Sequence, residues 1–234
     1  MPAEKKRRVL AVIFDLDGTL IDTEPLYQRF WVEAARQMGY PMEKHHALML
    51  RSLSPLQAEP LLRREVAPDF DYHGVRALRR KIMEAYTDQH GVRPKPGMEE
   101  TLRELHDMGI RIGLATATPE ERARKYLRGL GQETLLDAIA CVPMVEKGKP
   151  WPDVYLLALR QLGLKPEDCL AVEDSPTGIQ AAVNAGIPAV MIPDLSEPDE
   201  QVRSLCLAVL PTLPELIPLI RKMEENDEKN PDAL

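Results

Sequence analysis

The chain has 234 residues, of which 44% are hydrophobic and 29% are charged. This length and composition are typical of a globular protein with one α/β domain, or with a core domain that carries a smaller inserted one. A net charge of −7 argues against a surface for duplex nucleic acid, and no apolar run is long enough to span a bilayer, so we expect neither a nucleic-acid nor a membrane partner.

Short apolar runs alternate with helical patterns along most of the chain. The runs that predict strands are residues 9–14, 110–115, 138–142, 169–172 and 188–192, with a shorter run at 207–210 that predicts an edge strand. Thr118-Pro119-Glu120-Glu121 predicts a capping box with Thr118 at the N-cap, and Ser175-Pro176 predicts another helix start. This alternation predicts an α/β fold with a doubly wound parallel, Rossmann-like sheet.

One long stretch, from about residue 25 to residue 90, predicts helices and no strand. Val75, Leu78, Ile82 and Tyr86 recur at the spacing of one helix face. We expect residues 21–91 to form a helical cap domain, hinged over the active edge of a core that comprises residues 1–20 and 92–222. The polar residues 223–234 predict a flexible tail.

Asp15 and Asp17 follow the first apolar run directly and carry the most information in the sequence. A Ca²⁺-binding EF-hand loop also begins with two such acids, but Gly18 lies at the fourth position of the loop rather than the sixth. Two interpretations remain for the pair. It forms either a polar turn after a strand, or a nucleophilic carboxylate beside a second acid, assembled around a hard cation.

Further polar groups follow other predicted strands, at the edge where open parallel sheets bind ligands. Thr116 comes before the next helix, where a hydroxyl and backbone N–H groups can hold an anion, whereas Thr118 is interpreted as an N-cap. Glu173 and Asp174 end the fourth run and add negative charge that a divalent cation would offset. The repetition of polar groups at one edge favours a functional site.

Two lysines follow the third run and precede the next helix. Lys149, before Pro150, is either a solvated loop lysine or a fixed cation that helps to hold a phosphoryl group and balances the carboxylates. Lys147 competes for the same role on spacing alone.

Taken in order, these motifs resemble the four motifs of the haloacid dehalogenase superfamily. The residues that carry the resemblance are Asp15-Leu16-Asp17-Gly18-Thr19-Leu20, Thr116, Lys149 before Pro150, and Glu173-Asp174. The similarity extends through residues 148–155 and 173–182, which resemble the β-phosphoglucomutase-like branch, whose helical cap is inserted after the first motif. The resemblance covers nearly the entire chain.

This resemblance implies a Mg²⁺-dependent phosphatase that hydrolyses a small phosphate ester, a sugar or sugar-alcohol phosphate, through an aspartyl phosphate. Asp15 would be the nucleophile and Asp17 the general acid and base. The groups implied for the phosphoryl oxygens are those of Thr116, Ala117 and Lys149. The oxygen ligands implied for Mg²⁺ are those of Asp15, Asp17, Glu173 and Asp174, with Glu173 acting directly or through water.

Two alternatives stay open from the sequence. A sugar phosphomutase shares the motifs, but Ser52, Pro55 and Pro119 stand where the mutases carry Gly, Arg and Lys, although Arg51 lies next to the cap-loop position. A non-catalytic protein that binds a phosphometabolite is the second alternative. We expect a cytoplasmic location, because Cys141, Cys169 and Cys206 are far apart in sequence and form no C-x-x-C pattern, and a monomer is compatible with the sequence.

Overall fold

A computed structural model describes residues 8–50, 53, 55–194 and 197–229 of the chain. The strands of this described part are β1 (Ala11–Phe14), β2 (Arg111–Thr116), β3 (Ala138–Cys141), β4 (Cys169–Glu173), β5 (Ala189–Met191) and β6 (Ala208–Val209). They form one parallel sheet in the order β3-β2-β1-β4-β5-β6. Each predicted apolar run overlaps one of these strands, with β2 and β4 each extending one residue beyond the run, and the predicted fold class is confirmed.

The strand order creates a switch point beside β1. The chain passes from β1 outward through β2 to β3, and then returns to the other side of β1 with β4. Phe14, the last residue of β1, pairs with Leu114 of β2 and with Val172 of β4. In open α/β sheets, ligands bind at such a switch point, outside the carboxyl ends of the strands. The residues that follow β1, β2 and β4 therefore share the edge at which a ligand is expected.

The helices of the described residues are α1 (Glu24–Gln37), α2 (Lys44–Met49), α3 (Pro55–Glu65), α4 (Tyr72–His90), α5 (Met98–Asp107), α6 (Glu120–Gly129), α7 (Asp153–Leu162), α8 (Pro176–Asn184), α9 (Glu200–Leu205) and α10 (Leu216–Lys229). Helix α7 packs against β2 and β3, and α8 packs against β4 and β5. Ile13 of β1 lies in this core, while its neighbours Val12 and Phe14 are equally buried. Both faces of the sheet are therefore covered, as in other parallel sheets.

The chain divides into two compact units, Met1–Ile21 with Pro94–Leu234, and Asp22–Arg93. The second unit contains α1 to α4, and its described residues form no strand. It has a hydrophobic core of its own, in which Trp31, Met42 and Phe70 are buried. Helix α1 packs against α4 and α2, so this core lies between helices.

The buried face of α4 differs from the face that apolar spacing predicts. Of the predicted positions, Val75 is fully buried, whereas Leu78, Ile82 and Tyr86 are only half-buried. The buried stripe of the helix instead includes Arg79. The predicted face is thus rotated, because an arginine that stacks on aromatic rings occupies an interior position that apolar spacing does not indicate.

Helix α10 continues to Lys229, into the segment 223–234 for which the sequence predicts a flexible tail. Its first turns are anchored by Leu216, Ile217 and Ile220, which are buried. The glutamate and lysine residues that follow have good helix propensity, so the helix extends beyond its packed part. Across the described part of the chain, none of the helices combines the length and the apolar character that crossing a membrane requires.

Candidate active site

Three carboxyl side chains gather where β1 and β4 end. Asp15 follows β1, and its backbone N–H donates to the carbonyl oxygen of Val172 at 2.9 Å. Glu173 is the last residue of β4, and Asp174 follows it. Oxygen atoms from Asp15, Glu173 and Asp174 all lie within 4.8 Å of one another. All three residues are buried, so their negative charges repel strongly unless a cation or a proton lies between them.

Lys149 lies among these carboxylates. Its Nζ is 2.5 Å from Oδ1 of Asp15 and 2.5 Å from Oε1 of Glu173. The neighbouring Lys147 is exposed, and its Nζ lies over the ring of Trp151, 4.7 Å from the centroid. Of the two lysines that the sequence left open, the structure therefore brings Lys149 to the carboxylates.

Glu173 is fully buried and accepts hydrogen bonds on both carboxylate oxygens. The hydroxyl of Tyr155 donates to Oε1 at 2.8 Å, and Oγ of Ser175 donates to Oε2 at 3.4 Å. With Lys149 also on Oε1, three side chains fix this carboxylate. Tyr155 was not predicted as a site residue, because an aromatic residue in an apolar helix indicates core packing. The available signal for a role in the site was its position in residues 148–155, which resemble the β-phosphoglucomutase-like branch.

Two glycines allow the backbone to approach the carboxylates closely. Gly18 has φ of +87°, and a Cβ there would overlap the carboxylate of Asp174. A Cβ on Gly178, in the first turn of α8, would overlap the carboxylate of Glu173. Helix α8 begins as predicted, since Oγ of Ser175 accepts a hydrogen bond from the N–H of Gly178 at 3.1 Å. A side chain at either glycine would displace a charged group of the site.

Burial and mutual charge shift the pKa values in this cluster. Burial raises the pKa of Asp15 to about 8; the nearby ammonium of Lys149 opposes this shift, and the carboxylates of Glu173 and Asp17 add to it. Burial alone would lower the pKa of Lys149, but Asp15 and Glu173 outweigh burial and hold that pKa above its ordinary value. Burial, reinforced by Glu173, raises the pKa of the Tyr155 hydroxyl well above its usual range. Lys149 thus stays charged, yet it does not balance all of the negative charge.

Asp17 contacts the end of β2 through Thr118, whose Oγ1 donates to Oδ2 of Asp17 at 2.6 Å. The prediction that Thr118 caps a helix is wrong. Helix α6 begins at Glu120, its N-cap residue is Pro119, and no side chain caps it. Because the residue before a proline avoids the α conformation, Thr118 lies outside the helix, and its hydroxyl turns to Asp17.

Thr116 ends β2 and is fully buried. Its Oγ1 accepts a hydrogen bond from the backbone N–H of Thr118 at 3.0 Å. A hydroxyl that accepts one hydrogen bond keeps its own proton to donate, so Thr116 remains suited to bind a phosphoryl oxygen. Ala117, the other phosphate-binding residue predicted in this turn, is exposed between the two threonines.

The positions that bear on the mutase alternative are only partly described. Arg51 and Ser52 lie outside the described residues, as does the side chain of Pro55. Pro119 is described and stands at the start of α6. It therefore offers no ammonium at the position where the mutases carry a lysine.

The donor set fits a hard divalent cation. Asp15 and Asp174 offer carboxylate oxygens within the same small cluster, and such oxygens are the ligands that hard cations prefer. Glu173 belongs to that cluster as well, but both of its oxygens already accept hydrogen bonds. A cation beside Asp15 and Asp174 would offset the negative charge that Lys149 leaves unbalanced.

The sequence matches a known family and several named proteins. The family model described as haloacid dehalogenase-like hydrolase matches residues 9–186. A phosphorylated carbohydrates phosphatase of Thermotoga maritima is 35% identical over 182 residues, which cover 76% of this chain and 82% of that protein. Hexitol phosphatase A of Escherichia coli is 32% identical over 206 residues, which cover 85% of this chain and 92% of that protein.

Solved structures show the same architecture. CbbY from Rhodobacter sphaeroides, crystallised with xylulose-(1,5)bisphosphate, has a TM-score of 0.73 at 27% identity, over 89% of this chain and 96% of that one. β-Phosphoglucomutase from Clostridium difficile has a TM-score of 0.73 at 22% identity, over 93% and 98% of the two chains, and shows the fold alone. The resemblance indicated by the motifs is confirmed, and the chain belongs to the haloacid dehalogenase-like hydrolases.

Proposed function

We propose that this hydrolase is a Mg²⁺-dependent phosphatase for a small phosphorylated metabolite, specifically a sugar or sugar-alcohol phosphate. The observation that carries the proposal is the position of Lys149 between Asp15 and Glu173, beside Asp174, at the switch point of the sheet. The relatives named as phosphatases of phosphorylated carbohydrates and of hexitols support the substrate class.

In the first half of the proposed reaction, a carboxylate oxygen of Asp15 attacks the phosphorus atom and the bond to the ester oxygen breaks. Asp17 gives its proton to the departing oxygen, so that the product leaves as an alcohol. Thr116, Lys149 and the backbone at Ala117 bind the phosphoryl oxygens, over which charge spreads in the transition state. The result is an aspartyl phosphate on Asp15.

In the second half, the carboxylate of Asp17 takes a proton from a water molecule. The water oxygen attacks phosphorus, the bond to Asp15 breaks, and inorganic phosphate leaves. Asp15 is again a carboxylate and Asp17 is again protonated. One ester bond is hydrolysed, and water is the only other reactant.

We propose that Mg²⁺ is held by the carboxylates of Asp15 and Asp174 and by the backbone carbonyl of Asp17. When bound, it would supply positive charge that offsets the carboxylates and the phosphoryl group. Glu173 is better suited to hold Lys149 than to bind the ion directly, since its oxygens accept hydrogen bonds from Tyr155, Ser175 and Lys149.

The unit Asp22–Arg93 is proposed to select the substrate, because it is inserted between the first motif and the rest of the core. The mutase alternative is not favoured: Pro119 replaces the lysine of the mutases, and the first two relatives are named as phosphatases. A cytoplasmic location stays a prediction of the sequence, which leaves the oligomeric state open.

The test is phosphate release from a panel of sugar, sugar-alcohol and nucleoside monophosphates, measured with Mg²⁺ and then with EDTA. We expect release with Mg²⁺, none with EDTA, and a fall of at least about 10³-fold in kcat for Asp15→Asn. Asp168→Asn is the matched control, because Asp168 lies before β4, at the opposite end of that strand from the site. Release that persists in Asp15→Asn would contradict the mechanism, and isomerised sugar phosphate without release would identify a mutase.

A further inference from the structure

The contact between Thr118 and Asp17 has no role in the mechanism given so far. We propose that Thr118 is a positioning residue, whose hydroxyl holds the carboxyl group of Asp17 in the orientation that delivers a proton to the leaving oxygen. This inference rests on the proposed function, since it concerns the first half of that reaction.

The contact is short and partly buried. Oγ1 of Thr118 donates to Oδ2 of Asp17 at 2.6 Å, within the range of about 2.5–2.7 Å for a hydroxyl that donates to a carboxylate. Thr118 is 8% exposed and Asp17 is half-buried, so water has limited access to the Thr118 hydroxyl. Its backbone N–H donates to Oγ1 of Thr116 at 3.0 Å, which fixes the position of Thr118 just beyond β2.

The local sequence explains why this hydroxyl is available. A threonine at the start of a helix usually caps it, by accepting a hydrogen bond from a backbone N–H of the first turn. Here α6 begins at Glu120 with Pro119 as its N-cap, and no side chain caps the helix. The hydroxyl that the sequence would assign to the helix therefore acts on Asp17, which is 101 positions away in the chain.

The contact distinguishes the two oxygens of Asp17. A hydroxyl proton donated to Oδ2 favours Oδ1 as the oxygen that carries the proton of the acid. An alkoxide is a poor leaving group, so cleavage of an alkyl phosphate requires that proton. A nitrophenolate departs without protonation. Loss of the Thr118 hydroxyl should therefore impair alkyl phosphates much more than p-nitrophenyl phosphate.

The experiment measures kcat/KM for the best sugar-alcohol phosphate of the panel and for p-nitrophenyl phosphate, because this ratio reports the steps up to departure of the leaving group. For Thr118→Val we expect a fall of about 10- to 100-fold with the alkyl substrate, and a clearly smaller fall with the aryl one. Thr118→Ser keeps the hydroxyl and should recover most of the alkyl activity.

Thr101→Val is the matched control. Thr101 is fully buried in α5, and its Oγ1 has no hydrogen-bond partner among the described residues. This variant should keep both kcat/KM values, and thermal unfolding of all variants checks that they fold.

Equal falls with both substrates, or no rescue by Thr118→Ser, would overturn the inference while the proposed function stands. A wild-type enzyme that hydrolyses neither substrate would overturn the proposed function and this inference with it.

Discussion

Two cations, one in each unit of the chain, are largely removed from solvent and are held in opposite ways. In the unit that contains the sheet (Met1–Ile21 with Pro94–Leu234), Lys149 lies between the carboxylates of Asp15 and Glu173. In the unit Asp22–Arg93, the guanidinium of Arg79 lies over the rings of Tyr27 and Trp31, at 4.7 and 5.3 Å from their centroids. Its Nε atom has no hydrogen-bond partner among the described residues.

The pKa values show the consequence of this difference. Carboxylates raise the pKa of Lys149 above its ordinary value, although burial opposes them. Burial lowers the pKa of Arg79, although its contact with Tyr27 opposes the change. The first cation is stabilised by charge, and its partners depend on it in turn. The second is held by aromatic faces and by a hydrogen bond to the Tyr27 side chain rather than by carboxylates, so its replacement should cost less.

The largest expected effect follows from Lys149→Met. Loss of the ammonium removes a group that binds the phosphoryl oxygens and leaves buried carboxylates unbalanced. We expect kcat/KM to fall by about 10²–10³, and the free energy of unfolding at pH 8 to fall by up to about 3–5 kcal/mol. Steady-state kinetics and urea unfolding measure the two effects. Lys147→Met is the control, and equal losses in both variants would refute the assignment of Lys149.

A smaller effect is expected from Gly178→Ala, which acts on the other partner of Lys149. The added Cβ would overlap the Glu173 carboxylate, which cannot move without breaking its bonds to Tyr155 and Lys149. Overpacking of this kind costs about 1–3 kcal/mol of the free energy of unfolding, and activity should fall as well.

Gly129→Ala, at the end of α6, is the control. Its new Cβ would have no atom within 4 Å apart from those of its own helix, and the change should stabilise the protein by about 0.4–1 kcal/mol. Urea midpoints that move alike in both variants would contradict this expectation.

The smallest effect is expected from Arg79→Met. Methionine loses the contacts with the rings, but it also relieves the burial of a charge, so the free energy of unfolding should change by less than about 1 kcal/mol. Arg80→Met, at an exposed position of the same helix, is the control for the loss of charge. A loss above about 2 kcal/mol in Arg79→Met alone would show that the contacts with the rings stabilise the protein by more than the burial of the charge destabilises it. The proposed difference between Arg79 and Lys149 would then be wrong.

The strands and the charged residues of the site could be predicted because each is indicated by a local sequence pattern. A short apolar run bounded by turn residues is typical of a buried parallel strand. Asp15, Thr116 and Glu173 stand at the ends of such runs, so the sheet topology brings them to one edge.

The contacts of Thr118, Tyr155 and Arg79 could not be predicted in the same way. Thr118 and Tyr155 bind carboxylates 101 and 18 positions away, and a local pattern indicates which face a residue occupies but not where its hydroxyl points. Arg79 lies at an interior position because it stacks on the rings of Tyr27 and Trp31. The spacing of apolar residues does not indicate such a contact. Tertiary contacts decide all three.

The start of α6 has a consequence for protein engineering. Pro119 both replaces the lysine of the mutases and stands at the N-cap of α6, which leaves Thr118 outside the helix. A lysine introduced at this position would add a charge and would also permit the helix to begin earlier, which would draw the Thr118 hydroxyl toward a capping bond. A single substitution at residue 119 would therefore change both the charge of the site and the start of α6. A redesign toward a mutase has to fix the start of the helix before it alters the charge.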